Sequence, residues 1–252
     1  VKTYRDGQVT QYLRTVAAQS DRVSYETIGY SHEGRPIDFF VVTSPDNHAR
    51  LEDIRQQHLR LSKPDGSVAV SDEMPVVIWL GYGIHGAEAA GLEASVPVMH
   101  RLASAQDEQT RDLLEKSIIL MVAPMNPDGH ARRIDHSLSY LSETIVRDPE
   151  HAGHDLWARQ RANHYGFDLN RQWLLLAQPE ARAWMQKWHA WKPNLSADYH
   201  EMGTTSSRPT TYFFHPGEAG RTNSLIPEET RTLVKEIGQY HSQSFDEMKE
   251  LY

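Results

Sequence analysis

The chain has 252 residues, and its 39% of hydrophobic and 24% of charged residues support a buried core and exclude wholesale disorder. Its formal net charge of -8 argues against a nucleic-acid partner. It contains no cysteine, so disulfide bonds and thiolate metal sites are excluded, and any metal must be bound by His, Asp or Glu. No apolar run approaches the roughly 18 residues of a membrane helix, so we expect no membrane span.

The first quarter of the chain mixes helical and strand patterns. The spacing of Val9, Leu13 and Val16 predicts an amphipathic helix. Two runs of β-branched and aromatic residues then predict two strands joined by a turn. The predicted elements are a helix at 8–18, strands at 22–30 and 37–43, a charged helix at 48–61 and a polar loop at 62–73.

Two nearly pure apolar runs, at 75–80 and 118–123, are typical of strands that are covered on both faces. Predicted helices follow the first run, one starting near Ala87 and one at 108–116. Alternating buried strands and helices predict a three-layer α/β/α fold with a mixed, mostly parallel sheet in which both strands are interior. In such sheets ligands bind at the carboxyl ends of the strands, and His85 follows one of those ends.

The second half of the chain is less regular. Turn-forming residues at 126–129 follow the second apolar strand, and the long polar stretch at 134–165 suggests a functional surface loop. The pattern then predicts a helix at 179–191, a strand at 195–200 and a long amphipathic helix at 227–251. We expect residues 1–252 to form a single domain.

His85 and Glu88 stand three positions apart, one at a strand end and one in a first helical turn. An imidazole and a carboxylate so placed can converge on one cation, and catalytic zinc takes three such ligands plus water. A polar helix start is the alternative interpretation of this pair. A second His-x-x-Glu, His215 to Glu218, contains Pro and Gly and so predicts a turn.

A third candidate ligand is His200, at the end of the predicted strand 195–200. Because strand side chains alternate, Asp198 shares its face, whereas Glu201 points to the opposite face. We therefore expect Glu201 to be neither a ligand nor a base. The His-Glu-x-x-His helix motif is excluded, since position 204 is Thr.

Four motifs follow one another in a recognisable order. They are His85 with Glu88, then Asn-Pro-Asp-Gly at 126–129, then Asp-Leu-Asn-Arg at 168–171, then His200. This order resembles the zinc carboxypeptidases related to carboxypeptidase A. Glu88 and His200 are 200 − 88 = 112 residues apart, within the usual range of that family. The resemblance covers roughly residues 75–203 and looks closest to a bacterial branch of large exported members.

The resemblance implies a metallocarboxypeptidase that removes the C-terminal residue of peptides, with one zinc ion per chain bound by His85, Glu88 and His200. The substrate would be a peptide with a free C-terminal carboxylate, and export to the periplasm or the medium is implied as well. Zinc would lower the pKa of its bound water to about 7 and polarise the peptide carbonyl.

Further roles follow from the same resemblance. Asn170 and Arg171 would bind the terminal carboxylate, since an arginine fork forms paired, charge-assisted hydrogen bonds. Asp168 would hydrogen-bond His85 and fix its tautomer. An arginine nine residues before the family's asparagine polarises the scissile carbonyl, which indicates Arg161, with Arg159 as the alternative because loop lengths vary.

Two parts of the family pattern have no counterpart: a tyrosine that closes over the substrate, and the glutamate base, which would fall beyond Tyr252 together with the last strands of the sheet. We therefore expect a C-terminally truncated domain that hydrolyses peptides poorly, with Glu218 as the first alternative base. The glutamates of the last predicted helix are expected on a solvated face. They are Glu228, Glu229, Glu236, Glu247 and Glu250.

Two other functions stay open. A zinc deacylase acting on acylated amino acids shares the His-x-x-Glu motif, the distant His and the Asn-Arg pair. A non-catalytic zinc-binding or peptide-binding module is favoured by the missing base and disfavoured by the complete set of ligands.

Overall fold

The computed structural model describes residues 7–63, 71, 73–140, 148, 151, 158–201 and 228–249. Contacts divide the chain into one unit of Val1–Glu201 and a second of Met202–Tyr252. In the second unit the structure describes one long helix, α9 (Glu228–Lys249). A single domain over residues 1–252 stays a prediction.

The first unit contains five described strands and eight described α-helices, and most of them lie where the sequence patterns predict them. The strands are β1 (Val23–Tyr30), β2 (Pro36–Val42), β3 (Val76–Tyr82), β4 (Ser117–Val122) and β5 (Leu195–Tyr199). The helices are α1 (Gln8–Gln19), α2 (Pro45–Ala49), α3 (Leu51–Leu61), α4 (Ala89–Ser104), α5 (Glu108–Lys116), α6 (Pro127–Ser139), α7 (Ala158–Arg161) and α8 (Pro179–Trp191).

The five strands form one sheet in the order β1-β2-β4-β3-β5. β1 pairs with β2 and β2 with β4 in antiparallel fashion, whereas β3 runs parallel to both β4 and β5. The predicted mixed sheet is confirmed, and β3 and β4 are interior strands as their apolar character requires. Parallel pairing is confined to the half of the sheet built from β4, β3 and β5.

Helices cover both faces of this sheet, so the predicted three-layer arrangement is confirmed. Alternate residues of the buried strands point to opposite faces, as in Phe39 and Phe40 of β2, which belong to two different hydrophobic clusters. One cluster includes side chains of α3 and α8, among them Ile54 and Trp184. The other includes side chains of α1, α4 and α5, among them Leu13.

Two predictions for loops were wrong. The residues at 126–129 do not form an isolated turn but begin α6, because the side chain of Asn126 caps the helix by accepting the N–H of Gly129 and Pro127 takes the first helical position. Helix α6 also occupies the first six residues of the stretch 134–165, which was predicted to be irregular. The predicted charged helix at 48–61 is two helices, α2 and α3.

Some predicted features lie outside the described residues, among them most of the polar loop at 62–73 and the second His-x-x-Glu at 215–218. Within α9, the four glutamates whose burial is described are exposed, as expected: Glu228, Glu229, Glu236 and Glu247. Among the described residues, no helix combines the length and the apolar character needed to cross a bilayer.

Candidate metal centre

Two imidazoles and one carboxylate converge beyond the carboxyl ends of β3 and β5. His85 Nδ1 lies 2.8 Å from Glu88 Oε1, His200 Nδ1 lies 2.9 Å from Glu88 Oε2, and the two Nδ1 atoms are 3.1 Å apart. The side chains of His85 and Glu88 are only 3% and 13% exposed, whereas that of His200 is 31% exposed. The structure thus brings together the three predicted ligands and leaves one side of the group accessible.

The register of the parallel strands places these residues. β3 and β5 pair with Tyr82 opposite Tyr199, and the two rings stack with centroids 4.5 Å apart. A slip of one residue would turn every β5 side chain to the other face, so this register is what brings His200 beside His85. Glu88 completes the group from the N-cap of α4, three residues after His85.

The donor atoms fit a zinc ion. Neutral imidazole nitrogens and carboxylate oxygens are ordinary zinc ligands, and an open catalytic site supplies three of them. Ligand atoms about 2.0–2.1 Å from a tetrahedral ion are separated by about 3.4 Å, given the tetrahedral angle. The separations here, between 2.8 and 3.1 Å, are close to that value. One ion can therefore be bound with small side-chain adjustments.

A carboxylate lies against the other ring nitrogen of each histidine. His85 Nε2 is 3.1 Å from Asp168 Oδ1, and His200 Nε2 is 2.8 Å from Asp198 Oδ2. When Nε2 donates its hydrogen to the carboxylate, Nδ1 keeps a free lone pair for a metal. The sequence predicts the contact of Asp168 with His85. The matching role of Asp198 was not predicted, although strand alternation already placed it on the face of His200.

The electrostatic environment of His85, Glu88 and His200 favours a cation. Burial raises the pKa of Glu88, but the imidazoles of His200 and His85 lower it more strongly, to about 2. Burial lowers the pKa of His200, but Asp198 and Glu88 raise it, to about 9. The neighbouring carboxylates thus favour positive charge at His200.

Arg161, which the family resemblance indicates as the residue that polarises the carbonyl, lies at the edge of the same group. Its Nη1 is 3.2 Å from Glu88 Oε1 and its Nε is 3.2 Å from Asp168 Oδ2. Its side chain is 43% exposed, so part of the guanidinium can meet a ligand from solvent. The side chain of Arg159, the alternative, lies outside the described residues.

Asn170 and Arg171 share a short turn of 3-10 helix next to the group. The amide of Asn170 has its Nδ2 3.3 Å from His200 Nε2, and its Oδ1 accepts the indole N–H of Trp173 at 2.8 Å. Arg171 is exposed, and its Nη1 donates to the backbone carbonyl of Asn170 at 3.1 Å. The predicted carboxylate-binding pair therefore lies beside the candidate metal ligands, with its guanidinium at the surface.

Glu201 makes different contacts from its neighbour His200. Its Oε1 accepts the backbone N–H of Ala90 at 2.6 Å, in the first turn of α4, and its own N–H donates to Glu88 Oε2 at 3.0 Å. Among the described residues, its carboxylate does not belong to the group of candidate ligands. Glu201 instead connects the end of β5 to the start of α4.

Three backbone segments, around Gly86, Gly129 and Ala162, pack closely against one another next to the candidate ligands. Glycine at two of these positions leaves room for the contact. A Cβ on Gly86 would lie 2.0 Å from the carbonyl carbon of Gly129, and one on Gly129 would lie 2.7 Å from the carbonyl oxygen of Ala162. The side-chain amide of Asn126 donates to the carbonyl oxygen of Arg161 at 3.1 Å. The Asn-Pro-Asp-Gly motif therefore packs the loop of Arg161 against the loop of His85.

A second group of ionisable residues, Glu33, Asp128 and His164, has ligand atoms within 4.8 Å of one another. The buried Asp128 already accepts hydrogen bonds from Ser31 Oγ at 2.6 Å and from Arg35 Nη1 at 2.9 Å. These contacts tie the turn between β1 and β2 to α6, which accounts for the cluster without a ligand.

Comparison with known sequences gives a consistent result. The profile of the family described as zinc carboxypeptidase matches residues 9–250. Carboxypeptidase 2 of Trichophyton rubrum is 25% identical over 240 residues, which cover 92% of this chain and 36% of that protein. Carboxypeptidase 2 of Trichophyton equinum is 23% identical over 199 residues, covering 79% of this chain and 28% of that protein.

Comparison with solved structures agrees on the fold. A metallo-carboxypeptidase from Pseudomonas aeruginosa superposes with a TM-score of 0.53 at 21% sequence identity. The matched part covers 79% of this chain and 40% of that one. The chain thus spans about a third of the length of the Trichophyton rubrum relative and less than half of the bacterial structure.

Proposed function

The chain belongs to the zinc carboxypeptidase family, and we propose that it performs zinc-dependent hydrolysis of the C-terminal peptide bond of peptides. The observation that carries this proposal is the convergence of His85, Glu88 and His200, with a carboxylate behind each imidazole. Three such ligands with one accessible side are what a catalytic metal site requires.

One zinc ion per chain is proposed, bound through His85 Nδ1, His200 Nδ1 and the carboxylate of Glu88. When bound, zinc lowers the pKa of its water to about 7 and polarises a carbonyl oxygen. Asp168 and Asp198 hold the imidazoles in the tautomer and orientation that present Nδ1. The low pKa of Glu88, about 2, keeps its carboxylate ionised at neutral pH.

The remaining proposed roles concern the substrate. Arg161, whose guanidinium is partly exposed beside Glu88, would stabilise negative charge on the carbonyl oxygen of the scissile bond. Asn170 and Arg171 would bind the terminal carboxylate, the amide as a single donor and the guanidinium as a fork. Export of the protein stays a prediction, and so does Glu218 as the alternative base, a residue that lies outside the described part of the chain.

Metal content tests the proposed ligands. Protein purified without added metal is expected to contain close to one zinc per chain by elemental analysis. The His85→Ala/His200→Ala variant should contain almost none, because one carboxylate remains. His100→Ala is the matched control, since His100 is an exposed histidine bonded to Tyr12 and should leave the zinc content unchanged. Stoichiometric zinc in the double variant would refute the ligand assignment.

Binding of paired peptides tests the carboxylate-binding residues. A free-acid peptide is expected to bind roughly tenfold or more tightly than its C-terminal amide, because a hydrogen bond to a charged group contributes about 1.5–3 kcal/mol. Arg171→Ala should abolish this difference in calorimetry, whereas Arg111→Ala, an exposed arginine of α5, should preserve it. Equal affinity of the unmodified protein for acid and amide would contradict the assignment.

A turnover assay on peptides and on acylated amino acids, run beside the calorimetry, separates the proposed function from the alternatives. An acylated amino acid also ends in a carboxylate, so binding alone does not distinguish a deacylase from a carboxypeptidase. Slow turnover of peptides that disappears in the His85→Ala/His200→Ala variant would support the proposed function, whereas binding of zinc and carboxylate without any zinc-dependent turnover of either substrate would indicate a binding module.

A further inference from the structure

Asn163 lies between two residues of the candidate site, two positions after Arg161 and five before Asp168. It is fully buried, although its neighbours His164 and Tyr165 are exposed at the tip of the loop. A buried amide needs hydrogen-bond partners for its donors and acceptors, so the partners of Asn163 indicate its structural role.

The oxygen atoms of Asn163 close the loop on itself. Its Oδ1 accepts the backbone N–H groups of Tyr165 and Phe167 at 3.2 and 3.0 Å. Its backbone N–H donates to the carbonyl oxygen of Phe167 at 3.0 Å, and its carbonyl oxygen accepts the N–H of Gly166 at 3.1 Å. Gly166 has a φ of +85°, a left-handed conformation that glycine adopts readily, so the turn closes within five residues.

The amide nitrogen of Asn163 fixes the closed loop to helix α8. Its Nδ2 lies 2.9 Å from Oε1 of Gln178 and 3.4 Å from Oε2 of Glu180, at the start of that helix. Glu180 is itself fully buried, and its other oxygen has no hydrogen-bond partner among the described residues. Asn163 is therefore one of the few donors that Glu180 has.

The closed loop brings its two ends together at the candidate metal centre. Arg161 Nε lies 3.2 Å from Asp168 Oδ2, and Asp168 Oδ1 lies 3.1 Å from His85 Nε2. Arg161 also contacts Glu88. Any change in how the loop closes would move the carboxylate that supports His85 and the guanidinium beside Glu88.

We propose that Asn163 is a positioning residue for the metal centre and the substrate-binding residues, acting through Arg161 and Asp168. This inference rests on the proposed function, because it assumes that His85, Glu88 and His200 bind zinc. Asn163 itself contacts neither a candidate ligand nor a substrate-binding side chain.

Zinc affinity, measured by competition with a chelator on the folded protein, tests the inference. Asn163→Ala is expected to weaken zinc binding about tenfold, the lower end of the effect of losing a partner of a metal-bound histidine, because it displaces Asp168 without removing it. The preference for a free-acid peptide over its amide should fall in the same variant, because Asn170 and Arg171 follow Asp168 directly.

Asn47→Ala is the matched control for a purely structural effect. Asn47 is also a buried asparagine, and its Nδ2 donates to Thr43 Oγ1 at 3.1 Å and to two backbone carbonyl oxygens, away from the site. Its loss should lower the unfolding temperature without changing zinc affinity. If both variants bound zinc like the unmodified protein, the positioning role would be refuted.

A rescue experiment checks the contact with Glu180. Asn163→Asp alone should weaken zinc binding, because it replaces the donor by a carboxylate oxygen that faces Oε1 of Gln178 and Oε2 of Glu180. The Asn163→Asp/Glu180→Gln double variant keeps both side-chain sizes and returns one donor to the contact with residue 180 but none to the contact with Gln178, so zinc affinity should recover in part. Failure to recover, with the double variant folded, would overturn the proposed mechanism of positioning.

Zinc binding by the unmodified protein distinguishes a failure of the proposed metal centre from a failure of the role proposed for Asn163. If it binds no zinc, the proposed metal centre fails and the inference falls with it. If it binds zinc and Asn163→Ala binds it equally well, the centre stands and only the role of Asn163 is refuted.

Discussion

At the scale of single residues, the loops behind the candidate ligands depend on two glycines for space. Neither Gly86 nor Gly129 has a φ in the left-handed region, so backbone freedom is not the reason for glycine at these positions. A Cβ on Gly129 would lie 2.7 Å from three atoms, two of them backbone carbonyl oxygens. Backbone cannot move aside as a flexible side chain can, so a larger residue at either position forces the adjoining main-chain segments apart.

Gly129→Ala is therefore expected to destabilise the fold by about 1–3 kcal/mol, the usual cost of overpacking. It should also weaken zinc binding, because it pushes the loop of Arg161 away from the loop of His85. Urea unfolding and chelator competition measure the two effects.

Gly34→Ala provides the contrast. Its φ is +76° and an added Cβ would meet nothing within 4 Å, so its cost, about 1–2 kcal/mol, comes from backbone strain. Zinc affinity should be unchanged in this variant. Unchanged zinc affinity in Gly129→Ala as well would contradict the packing argument.

Some residues of the candidate site can be predicted from the sequence, and others cannot. His85, Glu88 and His200 were predictable because motif spacing and strand ends restrict where ligands can lie. The contacts of Asp198, Glu201 and Asn163 were not predicted, because they depend on which ring nitrogens and main-chain groups come near in the folded chain. Strand alternation gave a partial signal for Asp198 alone.

At the scale of elements, the N-terminus of helix α4 is capped by a residue from another segment of the chain. Its own N-cap residue, Glu88, makes no side-chain capping hydrogen bond. The carboxylate of Glu201, which follows β5, accepts the N–H of Ala90 instead and places negative charge at the positive end of the helix. Glu201 thereby holds the start of α4, which carries Glu88, next to the end of β5, which leads into His200.

Glu201→Ala is expected to weaken zinc binding about tenfold, since it frees the start of α4 that carries Glu88. Glu201→Gln should retain most of the affinity, because its amide oxygen still accepts the N–H of Ala90. Asp107→Ala is the control, since Asp107 caps α5 by accepting the N–H of Thr110 at 2.9 Å, and its loss should cost about 0.5–2 kcal/mol of stability alone. An effect of Asp107→Ala on zinc affinity as large as that of Glu201→Ala would count against the specific role of Glu201.

Elements whose burial is visible in the sequence were predicted well. Apolar runs gave β3 and β4, and helical apolar spacing gave α1 and α8 nearly to the residue. Helix α6 was missed because it opens with Asn126, Pro127 and Asp128, residues that favour turns and helix starts alike. Only the folded chain decides between the two, since Asp128 is buried by contacts with Ser31 and Arg35.

At the scale of the whole molecule, an ion bound by the candidate ligands would join the ends of strands β3 and β5, so zinc is expected to stabilise the fold. A ligand at 100 times its dissociation constant contributes about 2.7 kcal/mol. For a chain of this size that corresponds to roughly 5–10 °C in the midpoint of thermal unfolding. Adding a chelator should remove this increment, and readdition of zinc should restore it.

The variant His85→Ala/His200→Ala should unfold at the same temperature with and without zinc, whereas His100→Ala should respond like the unmodified protein. A zinc-dependent increase in the double variant would show that the stabilising ion is bound elsewhere.

The contact between His85 and His200 joins positions 115 residues apart in the chain. Helices α4 to α8 and strands β4 and β5 lie between them, so the ligand pair has a high contact order and its formation requires closure of a long loop. Because His85 and Glu88 are three residues apart, we expect them to become neighbours early in refolding, whereas His200 joins them only when β5 pairs with β3. The rate at which zinc is taken up would therefore time the docking of β5.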